Sequence, residues 1–168
     1  MMYNQLPQKR ILIICRSFFP EISPRSFRAT ELANEFARQG HEVTVLFPTN
    51  GRDYSEFQRV HNVVIKNLGT LRFKGIELNG NGLVLMLKRV WRRTLQVLFV
   101  YPDIQLMFIV TKALQNESGH DLLISIAVPH PIHWGVAKAW KKGNSIAKKW
   151  IADCGDPFMG NKENKFKN

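Results

Sequence analysis

Three pairs of residues in this chain have types and spacings that could do chemistry. His130 and His133 stand at i, i+3 just after an apolar run. Imidazoles so placed can act as general acid–base or hydrogen-bond a sugar hydroxyl, and they serve equally as a turn residue and a cap. Asp153 and Asp156 lie on either side of Gly155 and before Pro157. Carboxylates on such a tight loop accept from ligand hydroxyls or pair with an arginine across a cleft. The competing roles are a helix cap for Asp156 and a partner for Arg16 in Asp153. Arg25 and Arg28 fall in the first turn of a predicted helix, where a cation opposes the helix dipole. A bound anion would remove that conflict and use the free N–H groups. Pairing of Arg25 with Glu21 and of Arg28 with Glu31 is the alternative. His130, His133 and Asp156 are thus the catalytic candidates, and Arg25, Arg28 and Asp153 the acceptor- or anion-binding ones. No metal site is expected, because no H-x-x-E-H or C-x-x-C spacing accompanies the histidines.

The elements that must position these residues follow from periodicity. Residues 11–15 form a short apolar run that suits a buried parallel strand. Ser23 is a fitting N-cap, Pro24 a fitting first helical residue, and Gly40 a left-handed stop. Between them Ala29, Leu32, Ala33 and Phe36 recur at helical spacing. Residues 43–47, 63–65, 122–127 and 149–153 read as further strands. Residues 83–100, 103–117 and 131–142 read as helices, and residues 49–60 as irregular. Strands alternating with helices predict an α/β fold with a Rossmann-like, doubly wound parallel sheet. The loops after the strands then share one edge, where such sheets bind ligands. The expected organisation is a tail at 1–9, one domain at 10–160 and a polar tail at 161–168.

The 168 residues carry a net charge of +11 and 45% hydrophobic content. That fits one globular domain with an anionic partner. The two cysteines, Cys15 and Cys154, point to a reducing compartment and to packing roles. The apolar region 95–110 is interrupted by Pro102, Asp103, Gln96 and Gln105, and falls short of the about 20 apolar residues that a membrane span needs. The helix at 83–100 divides into two arcs at about 100° per residue. Leu83, Leu87, Val90, Trp91, Thr94 and Leu98 fill one, and Lys88, Arg89, Arg92, Arg93 and Gln96 the other. The common arrangement is a solvated basic face with Trp91 packed in the core. The other places Lys88, Arg89, Arg92 and Arg93 against anionic lipid headgroups. No nucleic-acid motif accompanies the charge, so no nucleic-acid partner is expected.

A dinucleotide cofactor is not expected. No glycine occurs between Cys15 and Thr30, so G-x-G-x-x-G is absent, and the predicted second strand lacks a terminal acid for a ribose.

Phe18-Phe19-Pro20-Glu21, with a helix running into Arg38-Gln39-Gly40-His41-Glu42-Val43-Thr44-Val45, resembles the N-terminal domain of family-4 retaining glycosyltransferases of the GT-B fold. Trp150-Ile151-Ala152-Asp153-Cys154-Gly155-Asp156-Pro157-Phe158 is similar to the W-x-A-D-x-x-D-P segment of one branch of that family. The chain departs from many members in carrying Ile22-Ser23-Pro24-Arg25-Ser26 where they have a Gly-Gly pair, and Ser125-Ile126-Ala127 where they have a histidine. The resemblance implies sugar transfer from a nucleotide-sugar to a glycan or lipid-linked acceptor in polysaccharide synthesis. It also implies that Phe19, Pro20 and Ser23 line the acceptor side together with Arg25, Arg28 and Asp153. The nucleotide-sugar would bind a second domain, so the chain is expected to be an N-terminal fragment that is inactive by itself. Cytoplasmic placement, peripheral on the inner face of the membrane, fits that role. The competing expectation is a non-catalytic partner module that holds a membrane surface or a separate donor-domain subunit.

Overall fold

A computed structural model describes residues 7–140 and 146–155. Five parallel strands form one sheet in the order β3-β2-β1-β4-β5. They are β1 (Arg10–Ile14), β2 (Glu42–Phe47), β3 (Val63–Asn67), β4 (His120–Ile126) and β5 (Ala147–Asp153). The strand order reverses between β1 and β4, where Ile13 is in register with Val45 on one side and Ile124 on the other. Both faces of β1 are covered, which explains its unbroken Ile11-Leu12-Ile13-Ile14 run.

Successive side chains point to opposite faces, and two cores result. On one face Ile11, Ile13, Val43 and Val45 pack under α1 (Pro24–Arg38) and α2 (Ser55–His61). On the other, Leu12, Ile14 and Leu123 pack under α4 (Gln105–Leu114) and α5 (Pro131–Trp140). Helices on both faces of a parallel sheet make this a doubly wound, Rossmann-like α/β domain.

The start of α1 is as its sequence predicts. Ser23 Oγ accepts from Ser26 N at 3.1 Å, Pro24 opens the helix, and Gly40 takes φ +85° after its end. One helix lies where an irregular segment is expected: α2 occupies residues 55–61. It is held at its start by Asp53, whose Oδ1 accepts from Ser55 N at 2.9 Å and Ser55 Oγ at 2.6 Å, and stopped by Asn62 at φ +54°. It buries only Phe57, too little to leave a periodic stripe.

α4 and α5 approach closely because residue 135 is glycine. A Cβ there would stand 2.7 Å from Val110 Cβ and 2.8 Å from the Met107 carbonyl. Thr111 Oγ1 donates into the same crossing, to Met107 O at 2.7 Å and Gly135 O at 3.1 Å. Gln105 opens α4 with all its amide bonds satisfied. Its Oε1 accepts from Arg72 N and Phe73 N, and its Nε2 donates to Phe73 O and Pro102 O. This fastens the preceding loop to the helix.

Among the described residues, neither core includes a residue of α3 (Gly82–Phe99). No residue of α3 is buried, and Trp91 is 59% exposed, not packed in the core as its apolar arc suggests. No helix among the described residues is long and apolar enough to cross a membrane.

Candidate functional site

The parallel strands bring their carboxyl ends to one edge, and that edge has two unlike sides. Over β1 and β2 lies an open cleft of about 310 Å³. β1 leads into buried Cys15, whose thiol is pushed up strongly by burial, with the charge of Glu21 adding to it. The chain then surfaces at Arg16, which pairs with Asp103 at 2.6 Å. Arg16, Ser17, Pro20 and Glu21 form one wall. The other wall follows β2, where Asn50 and Gly51 both take left-handed backbone (φ +52° and +76°) and turn Thr49, Arg52 and Tyr54 toward the cleft. Phe18, Phe47 and Tyr54 make the floor, with ring centroids 5.0 and 5.2 Å apart along the row. Burial raises the Tyr54 hydroxyl, and Arg52 beside it acts in the other direction. The cleft thus offers the Arg52 guanidinium, that of Arg16 in its pair with Asp103, one carboxylate and several neutral polar groups over an aromatic base. That combination suits a phosphorylated or glycosyl ligand.

Over β4 and β5 the edge is closed by its own hydrogen bonds. Trp150 Nε1 donates to Ser125 Oγ at 2.8 Å, and Ser125 Oγ lies 2.7 Å from His133 Nδ1. An indole N–H can only donate, so the Ser125 oxygen accepts from it; the ring nitrogen of His133 that faces a backbone carbonyl must carry the proton, which leaves Nδ1 to accept from the Ser125 hydroxyl. The His133 ring proton then sits on Nε2, facing the Asp153 backbone carbonyl, with Cys154 Sγ 3.8 Å away. Burial lowers the pKa of His133, the charge of His130 adds to that, and the hydrogen bond to the Asp153 backbone works against both. A neutral imidazole with both nitrogens engaged fastens α5 to the ends of β4 and β5. One step further out, Arg28 Nη1 lies 3.1 Å from Asp153 Oδ1, and Gly155 N donates to that oxygen at 3.3 Å. This pair links the first turn of α1 to the end of β5, across the point where strand order reverses.

The residues singled out by sequence are therefore distributed. Pro20 lines the cleft. Phe19 turns away from it, stacking on Phe57 at 5.1 Å while its N–H donates to Thr30 Oγ1. Ser23 is occupied as the helix cap, and Arg25 is half-buried in the first turn of α1. Arg28 is matched with Asp153, neither with Glu31 nor with a free anion, and Arg16 is matched with Asp103. The ring of His130 is 6.2 Å from that of His133. Asp156 lies outside the described residues. Arg16, Glu21, Thr49, Asn50, Arg52 and Tyr54 are among the cleft residues that the sequence did not single out. The Asn50-Gly51 turn directly before Arg52 was the available signal for part of it. Among the described residues no group of three His, Cys, Asp or Glu side chains is placed to hold a metal ion.

Lys88, Arg89, Arg92 and Arg93 all lie on α3. Lys88 Nζ donates to Asn79 O at 2.8 Å and reaches back over the loop before the helix.

No family model matches the chain, and no curated protein matches it. Among solved structures it is similar to the C-terminal domain of a hydrogenase from Pyrococcus furiosus, seen in two crystal structures. The one of residues 78–226 has 14% identity and a TM-score of 0.42, with 87% of this chain and 92% of that chain covered. The one of residues 83–215 has 15% identity and a TM-score of 0.40, with 88% and 95% covered. Likeness at this level carries no argument about chemistry.

Proposed function

We propose that this domain is the acceptor-binding half of a GT-B glycosyltransferase. Such an enzyme moves a sugar from a nucleotide-sugar to a glycan or lipid-linked acceptor in cell-surface polysaccharide synthesis, at the inner face of the membrane. The observation that supports it is the open polar cleft over β1 and β2, lined by Phe18, Pro20 and Glu21 of the Phe18-Phe19-Pro20-Glu21 stretch that resembles this family. In this reading Arg52 holds an acceptor phosphate, and Glu21, Thr49 and Asn50 take hydrogen bonds from sugar hydroxyls. The nucleotide-sugar is held by a second domain, in the same polypeptide or in a partner. The acceptor hydroxyl attacks only where the two domains meet.

The test is a titration of the isotope-labelled protein followed by amide shifts. A short-chain prenyl-diphosphate sugar is expected to shift Arg16, Thr49 and Arg52 and to leave β4 and β5 unmoved. No shift in the cleft, or a shift centred on β1 and β4 with NADH, would count against the proposal. With UDP-glucose and acceptor together, this chain by itself is expected to show no turnover. A second reading, a non-catalytic module that holds a membrane or a donor-domain subunit, is favoured by the exposure of α3. It predicts no acceptor binding in the same titration.

A further inference from the structure

α3 faces the wrong way for a helix that belongs to a core. At about 100° per residue Leu83, Met86, Leu87, Val90, Trp91 and Leu98 fall within one arc of about 140°. Every one of them is more than half exposed, from 55% for Val90 to 78% for Leu83. Of the partly buried residues, Leu85, Lys88, Arg92 and Leu95 lie on the opposite side, and the smaller Thr94 and Val97 sit within the arc between these exposed side chains. An amphipathic helix in a globular protein buries its apolar stripe. Here the stripe points outward along about 27 Å of helix, at a rise of about 1.5 Å per residue.

The charge around this stripe selects what covers it. α3 has no acidic residue and four cations, Lys88, Arg89, Arg92 and Arg93, and the whole chain carries +11. A second copy of the chain would bring the same cations against them. An anionic lipid surface supplies both partners the helix requires: hydrocarbon for the arc and headgroup charge for the cations at its borders.

We infer that α3 is an interfacial helix that lies flat on an anionic bilayer. Leu83, Leu87, Trp91 and Leu98 enter the acyl boundary, and the exposed Arg89 and Arg93 reach the headgroups. The apolar arc is the membrane-facing surface, and the basic residues frame it. The inference stands on α3, whichever reading of the cleft holds, and its test uses no sugar.

The experiment is flotation of the full chain with vesicles of phosphatidylcholine, with and without about 30% phosphatidylglycerol. Binding to the anionic vesicles is expected to be more than about tenfold tighter, with a blue shift of tryptophan emission that Trp91→Phe removes. Leu87→Asp combined with Trp91→Asp is expected to weaken binding by at least about tenfold while leaving the melting temperature unchanged, because both sites are exposed. Combining Arg89→Gln and Arg93→Gln removes the preference for anionic vesicles. Three results overturn the inference: no binding to anionic vesicles, equal binding by the Leu87→Asp/Trp91→Asp protein, or lipid-free self-association in ultracentrifugation that this double variant abolishes. The last would assign the face to a second copy.

Discussion

The two sides of the carboxyl edge contain similar residues and use them in opposite ways. Over β4 and β5, Trp150, Ser125, His133, Arg28 and Asp153 satisfy one another, and little is left to offer a ligand. Over β1 and β2, Glu21, Thr49, Asn50 and Arg52 face an open space. A polar group buried among partners stabilises the fold, and one left at a cleft is available for recognition. The difference teaches that a histidine or aspartate at the ligand edge of a sheet is not thereby a ligand residue. What matters is whether its hydrogen-bonding capacity is already taken.

Substitutions on the closed side test this most severely. Ser125→Ala leaves the Trp150 N–H and His133 Nδ1 each short of a partner, and a buried orphan costs about 1–3 kcal/mol. The expected loss is about 2–4 kcal/mol in urea unfolding. A loss under about 0.5 kcal/mol would mean that the relay is not structural. Gly135→Ala attacks the same side from behind, because the added methyl meets Val110 Cβ and the Met107 carbonyl at the α4–α5 crossing. Overpacking of this kind costs about 1–3 kcal/mol. A melting curve should show it, and ligand shifts in the cleft should survive it.

The pH dependence sharpens the contrast further. The native pKa of His133 lies below its ordinary value of 6.5, chiefly through burial. Near pH 6 the unfolded chain therefore binds more protons than the native one, and stability rises with pH. The contribution is complete above about pH 6.5 and falls away as pH drops through that value, at no more than about 1.4 kcal/mol per pH unit. Urea unfolding of the native protein and of His133→Gln between pH 5 and pH 8 (a range of about 3 units) should differ in this slope. Parallel curves would show that His133 is not the buried neutral group described here.

Much of the fold was legible in the sequence because it rests on local signals. The Ile11-Leu12-Ile13-Ile14 run marks a doubly covered strand, and Ser23, Pro24 and Gly40 delimit α1 by cap chemistry. α2 was not legible, since one buried residue, Phe57, makes no period. The division of the candidate site was not legible either. Arg28 and Asp153 are 125 residues apart, and Ser125 and Trp150 are 25 apart, so their matching exists only once the sheet is assembled. α3 shows a third limit. Periodicity fixes that it has an apolar arc, but whether that arc is covered depends on tertiary packing, and here it is left exposed.

The smallest expected effect on stability is the most informative about the open side. Arg52 is exposed and lines the cleft beside Tyr54, so Arg52→Ala should change unfolding stability by no more than about 0.5 kcal/mol. A guanidinium bound to a phosphate makes charge-assisted hydrogen bonds that contribute about 1.5–3 kcal/mol. Its removal should therefore weaken binding of a prenyl-diphosphate sugar by about tenfold or more, as read by calorimetric titration. Arg28→Ala is the control. It breaks the half-exposed pair with Asp153, which contributes about 1 kcal/mol or less to stability, and should leave that affinity unchanged. If Arg28→Ala weakens ligand binding and Arg52→Ala does not, the ligand sits over β4 and β5. The ion pair there would then be a gate that opens, and the roles assigned to the two sides of the edge would be reversed.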